Sequence, residues 1–178
     1  MTPMRDPVLG QVLKNANKEV ATMSRKPVSI LFICTGNICR SPLAQGVCQK
    51  RAEDLGKDVI LDSAATGAWH EGEAPDPRAI AAAKARGIDI SRQRARAITD
   101  EDFTRFDYLV GMDEGHRRWM RQARTSRGLG EKPMSILLDW SVGMAGQDVP
   151  DPYYGGPDDF EKALDLIEKG VDGLLRRI

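Results

Sequence analysis

Val28-Ser29-Ile30-Leu31-Phe32-Ile33 is a nearly continuous apolar run, rich in β-branched residues. A strand with one wet face would alternate. A run without alternation reads as a strand buried on both faces, so its sheet must carry a layer on either side. The rest of the chain supplies those layers. After Cys34–Ser41, Pro42 stands at a first helical position, and a helix is predicted to about Leu55. Val59-Ile60-Leu61 reads as a short strand ending in Asp62-Ser63-Ala64. Asp76-Pro77 caps a helix through Ala79–Ala85 that Gly87 stops. Thr99 and Asp102 have the spacing of a capping box. Tyr108–Met112 reads as a strand, Asp113 to about Arg124 as a helix, and Met134–Leu138 as a fourth strand. Residues 139–157 are predicted to be a long loop. Asp158 and Glu161 then open a last helix with Phe160, Leu164, Ile167, Val171, Leu174 and Ile178 on one face. Strands alternating with helices imply an α/β fold with a mostly parallel sheet covered on both sides. Ligands bind such sheets at the carboxyl ends of the strands, where Cys34 lies.

The 178 residues suffice for one domain. Residues 1–26 read as an extension loosely attached to a domain at 27–178. Asp6-Pro7 opens a weak helical pattern there through Leu9, Leu13, Ala16, Val20 and Met23, with Gly10, Asn15 and Asn17 working against it. A natural start at Met23 is the alternative. Basic and acidic residues cancel at 26 each, which gives no support for a nucleic-acid or polyanion binder. No stretch approaches the ~20 apolar residues of a membrane span, and the N-terminus lacks the apolar core of a secretory signal. The cysteines are three, Cys34, Cys39 and Cys48. An odd number without framework spacing speaks against a disulfide scaffold and for a reducing, cytoplasmic setting.

The chemistry concentrates in Cys34-Thr35-Gly36-Asn37-Ile38-Cys39-Arg40-Ser41, a cysteine and an arginine separated by five residues. A phosphate needs backbone N–H donors, a fixed positive charge and a helix N-terminus. Gly36 and Asn37 tolerate the positive φ of a tightly curled loop. Arg40 offers a planar fork to two phosphate oxygens. A thiol beside an arginine at a helix N-terminus is favoured as thiolate. Ser41 can donate a hydrogen bond to it, and the sulfur can then attack phosphorus in line. Cys48 reads as packing, His70 as loop or rim, and His116 as a helix surface residue. Neither histidine has metal-like spacing with the cysteines.

Cys34–Pro42 resembles the signature of the low-molecular-weight protein tyrosine phosphatases. Asp62–Thr66, Asp100–Asp113 and Asp151–Gly155 resemble family segments in the same order, so the likeness runs from about Val28 to the end. It implies a three-layer fold, a four-stranded parallel sheet flanked by helices, with the phosphate-binding loop after strand one. It implies no metal and no cofactor. Cys34 would be the nucleophile, Arg40 the phosphate ligand, and Asp151 of Asp151-Pro152-Tyr153-Tyr154 the general acid and base. Thr35, Gly36, Asn37, Ile38, Cys39 and Ser41 would form the cradle, with Trp69, Tyr153 and Tyr154 as aromatic walls. Such walls suit phosphotyrosine over the shorter phosphoserine. Ser63 and Asp113 would support the loop together with Asn37. In the family a cysteine at the place of Cys39 can pair reversibly with the nucleophile and shield it from over-oxidation. One position departs: a histidine often precedes Gly87, and here it is Arg86.

The expected substrate is a phosphotyrosine protein, a tyrosine kinase among the candidates by family analogy. No nucleic acid or membrane is expected as partner, and the chain is expected as monomer or weak dimer. The first alternative is a protein-arginine phosphatase, which tends to have Thr in place of Ile38 and Phe without paired tyrosines after Asp-Pro. An arsenate reductase of this fold would need two further cysteines near residues 80–95, and the chain has none after Cys48. A binding module that lost its chemistry would be expected to lack Cys34 or Asp151.

Overall fold

The structure, a computed structural model, describes residues 8, 10–12, 15 and 25–178. Val8, Gly10, Gln11, Val12 and Asn15 are helical. The pattern residues Leu9, Leu13, Ala16, Val20 and Met23 lie outside the described residues. From there the order is β1 (Val28–Cys34), α1 (Arg40–Leu55), β2 (Val59–Ala65), α2 (Pro77–Ala85), α3 (Asp100–Arg105), β3 (Tyr108–Gly111), α4 (Glu114–Ser126), β4 (Met134–Ile136), a 3-10 turn (Leu137–Trp140) and α5 (Pro157–Arg177).

The four strands form one sheet in the order β2-β1-β3-β4, every pair parallel. This is the three-layer α/β fold that the resemblance implied. Alternate residues of β1 feed different cores. Ile30, Phe32 and Cys34 pack with Leu43 and Val47 of α1 and Leu164, Ile167, Val171 and Leu174 of α5. Leu31 and Ile33 pack with Leu109, Phe103, Phe106 and Met120 on the face of α3 and α4. The missing alternation in the sequence is this two-sided burial.

β1 and β3 are neighbours although β2 intervenes in sequence, so the chain leaves β1 in one direction and returns from the other. The crevice at that reversal lies at the strands' carboxyl ends. Cys34 ends β1, and Asp113 follows β3 by two residues.

Several boundaries differ from the sequence reading. Pro42 is the third residue of α1, because Arg40 and Ser41 are already helical. A proline is harmless there, since the first four N–H groups of a helix have no partner within it. β2 continues through Asp62, Ser63 and Ala64, because β1 pairs with it from Val28↔Val59 to Cys34↔Ala65. β4 stops at Ile136. The Ile136 N–H donates to Asp139 Oδ2 (3.1 Å) and the Trp140 indole to Ser135 Oγ (2.9 Å), which turns Leu137 and Leu138 into the 3-10 turn. The capping readings agree with the structure. Asp76 Oδ1 accepts from Arg78 N at 2.8 Å, and the Thr99 N–H donates to Asp102 Oδ2 at 2.8 Å.

Candidate active site

The loop after β1 curls until Asn37 takes φ 56°, the one non-glycine residue at positive φ among those described. Asparagine pays little for that conformation, and its amide is fully engaged. Asn37 Nδ2 donates to Ser41 Oγ and to Ser63 Oγ, both at 2.9 Å, and Oδ1 accepts from Arg96 N at 3.0 Å. Ser63 passes its own proton to Gln45 Oε1 (2.7 Å). Ser41 already accepts from Asn37, so its hydroxyl proton is free for Cys34 Sγ, 2.9 Å away. The Asn37 N–H also points at that sulfur, at 3.3 Å. Two donors converging on one sulfur suit a thiolate. The start of α1 at Arg40 adds the positive end of a helix dipole beside it.

Arg40 is buried and held from two sides. Nη1 donates to Asp113 Oδ2 (2.8 Å) and to the Val149 carbonyl (3.0 Å), while Nη2 faces Asp151 Oδ2 at 3.6 Å. Asp113 also caps α4, its Oδ1 accepting from His116 N at 3.0 Å. The Asp113 carboxyl lies below the ordinary carboxylate range: burial raises it, and the hydrogen bonds from Arg40 and from the His116 backbone N–H, with the Arg40 charge, work against that.

His116 corrects the sequence reading. It is not a surface residue but 4% exposed, because α4 turns its first turn inward against β3. Its Nδ1 accepts from the N–H groups of both Met112 and Asp113 at 3.1 Å. That lone pair is taken, so the ring proton sits on Nε2 and is donated to Thr35 Oγ1 at 3.0 Å. Burial pushes the imidazole down to about 4. The 3.3 Å approach of Nδ1 to Asp113 Oδ1 is therefore no ion pair at neutral pH. The sequence offered only its place at the third residue of a helix that Asp113 caps, which does not reveal a buried ring.

A cavity of about 300 Å³ opens over the loop. Its floor and sides are Cys34, Thr35, Gly36, Ile38, Cys39 and Arg40, and its walls are Trp69, His70, Asp151, Tyr153 and Tyr154. All the residues expected at the cradle and the walls thus meet at one cavity, except Asn37 and Ser41, which brace the loop from behind with Ser63 and Asp113. Trp69 is 67% exposed and folds back over Gly67, where an added Cβ would lie 2.5 Å from the indole. His70 leans on Gly36 and pairs with Glu73 at 2.8 Å, so it is a rim residue as read from the sequence. Tyr153 and Tyr154 meet edge to face at 4.9 Å between centroids, and Tyr154 is 92% exposed. Asp151 Oδ1 accepts from Tyr153 N at 3.1 Å, and its other oxygen turns toward Arg40.

Cys39 precedes the first residue of α1 and is buried, and burial, with Asp76 nearby, pushes its thiol well up. Cys48 is buried in the main core and pushed up to about 12 by burial, as a packing residue would be. Arg86 takes no part in the loop network. It bridges α2 to α5 through Glu161 (2.7 Å), Asp165 (2.8 Å) and Glu168 (3.1 Å). Beyond Ser63 the network runs through Gln45. No group of metal-ligating residues occurs among the described residues, and no helix there is long and apolar enough to cross a membrane.

Known proteins resemble this chain in sequence and in fold. A low molecular weight protein-tyrosine-phosphatase of Streptomyces coelicolor is 44% identical over 152 residues, covering 84% of this chain and 92% of its own. The crystal structure of YfkJ from Bacillus subtilis superposes with a TM-score of 0.80 at 32% identity, over 87% of this chain and 96% of that one. A Drosophila arginine phosphatase superposes with a TM-score of 0.78 at 25% identity, over 83% and 96% of the two chains. Residues 29–178 match the family described as low molecular weight phosphotyrosine protein phosphatase, and the chain belongs to that family.

Proposed function

We propose that the chain is a protein-tyrosine phosphatase that works through a phosphocysteine. The Cys34 thiolate attacks phosphorus as the bond to the tyrosyl oxygen breaks. The electron pair leaves on that oxygen and takes a proton from the Asp151 carboxyl. A phenol of pKa ~10 is a poor leaving group, so this proton is worth about 10²–10⁴ in rate. The Asp151 carboxylate then removes a proton from water as the water oxygen attacks phosphorus. The S–P bond breaks and the thiolate returns. Arg40 holds two phosphoryl oxygens throughout, and Asp113 keeps its fork turned into the loop. The observation that carries this reading is the sulfur fixed by Ser41 and Asn37 in a cavity that also holds Asp151 and three aromatic walls.

Phosphoarginine is the second reading, favoured by the superposition on an arginine phosphatase. Ile38 in the cavity floor and the Tyr153–Tyr154 pair weigh toward a flat phenyl ring instead. The natural substrate would be a phosphotyrosine protein, a tyrosine kinase among the candidates. The reading further holds residues 27–178 to be the catalytic unit, needing neither metal nor cofactor, acting in the cytoplasm as monomer or weak dimer and without nucleic-acid or membrane partners.

The test is hydrolysis of a phosphotyrosine peptide and of a phosphoarginine peptide, with chelator, by the wild type and Cys34→Ser. Phosphotyrosine turnover that chelator leaves intact and Cys34→Ser abolishes is expected. Preference for phosphoarginine would overturn the assignment of Ile38 and the tyrosines.

A further inference from the structure

Arg78 does not line the cavity, yet it touches the chain on both sides of it. Its guanidinium forks onto the Asp76 carboxylate, Nε to Oδ1 at 3.1 Å and Nη2 to Oδ2 at 2.9 Å. The same group donates to the Tyr153 carbonyl (2.9 Å) and the Gly155 carbonyl (3.0 Å). Its face covers the Phe160 ring at 4.6 Å. Asp76 in turn donates its N–H to the Ile38 carbonyl in the phosphate loop, at 2.8 Å. A continuous chain of contacts thus runs Ile38–Asp76–Arg78–Tyr153 and Gly155. Among the described residues, the hydrogen bonds that join residues 150–155 to another segment both come from Arg78. The direct approach of Arg40 to Asp151 is longer, at 3.6 Å.

We propose that Arg78 is a positioning residue for the proton transfer of Asp151, a strut that sets the Asp151–Gly155 loop against the phosphate loop without touching substrate. The inference rests on the phosphatase reading above. A planar fork is required, because a carboxylate and two carbonyls are served at once, which an ammonium cannot do in this geometry.

A misplaced proton donor has its own signature. The transfer to sulfur, read by kcat/KM, suffers most when the leaving oxygen is basic and little when it is not. Arg78→Met should lower kcat/KM about 10–100-fold on a phosphotyrosine peptide. On 2,4-dinitrophenyl phosphate the loss should be under about 3-fold, because that phenolate leaves without help. Inhibition by inorganic phosphate should stay within about 2-fold, since the cradle is untouched. Arg78→Lys should follow Arg78→Met. In an Asp151→Asn background, where no proton is left to position, Arg78→Met should cost under about 3-fold. An equal loss on every leaving group with weaker phosphate inhibition would overturn the proposal in favour of general structural damage. Full activity of Arg78→Lys, or undiminished effects in the Asp151→Asn background, would overturn it as well. These outcomes leave the phosphatase reading intact. That reading fails separately, if Cys34→Ser keeps the wild-type rate.

Discussion

At the scale of single residues, Asn37 and His116 do the work of holding a strained loop, and each makes a prediction. Asn37→Ala forces alanine into φ 56° and strands the Ser41, Ser63 and Arg96 groups that Asn37 now satisfies. It should cost roughly 3 kcal/mol in urea unfolding. Asn37→Gly should recover about 1 kcal/mol of that, because only the backbone strain is relieved. His116 predicts a pH dependence. Its folded-state value is about 4 against an ordinary 6.5. As pH falls below 6.5 the unfolded chain binds a proton that the folded protein refuses. Stability therefore declines from there and levels off below about 4. Between about pH 7.5 and pH 5 this one group should remove roughly 2 kcal/mol. His116→Asn should flatten that window, and a slope unchanged in the variant would contradict the assignment. Asp113 and Asp102 lie below the usual carboxylate range, so their contributions vanish only at lower pH, as the carboxylates take up protons. Cys34, Arg40, Asn37 and Ser41 were legible because the loop's residue types are dictated by the anion it cradles, whereas Asp151 was legible only through the family resemblance. His116 was not. A histidine at the third position of a polar, arginine-rich helix gives no sign that two backbone N–H groups wait for its ring.

At the scale of elements, the core strand and the capped helices could be read because each depends on local rules. β1 declares itself by β-branched residues without alternation, and α2 and α3 by Asp76 and by Thr99 with Asp102. Elements that end through tertiary contacts were misjudged. β4 gives way to the 3-10 turn because Asp139 captures the Ile136 N–H, and β2 outlasts its apolar residues because β1 pairs with it throughout. The turn matters to α5, which crosses it closely at Gly173. An added Cβ there would clash with the Trp140 carbonyl oxygen. That contact is backbone and cannot yield like a side chain. Gly173→Ala should therefore destabilise by about 2 kcal/mol in thermal or urea unfolding. An unchanged midpoint would mean that α5 shifts freely on the turn.

At the scale of the whole molecule, a parallel sheet with its order reversing between β1 and β3 brings distant segments to one crevice. Cys34 comes from the end of β1, Arg40 from the start of α1, Asp113 from just past β3, Trp69 from the segment after β2, and Asp151 from the loop before α5. Arg86 belongs to this scale. It joins α2 to three carboxylates of α5, contributing to the shell and not to the site. Arg86→Met should lower stability by about 1 kcal/mol, since the partners are half exposed, and leave kcat/KM within about 2-fold. The sequence marked this position only as a departure from the family, because its partners lie on another helix.

The account turns on a covalent bond between phosphorus and the Cys34 sulfur. Rapid acid quench of the wild type during turnover of a phosphotyrosine peptide, followed by mass analysis of the fragments, tests this directly. The account predicts a transient phosphoryl group on the fragment containing Cys34, absent in Cys34→Ser. Steady turnover with no phosphorylated fragment at any time, or with the phosphoryl group on another residue, would contradict it.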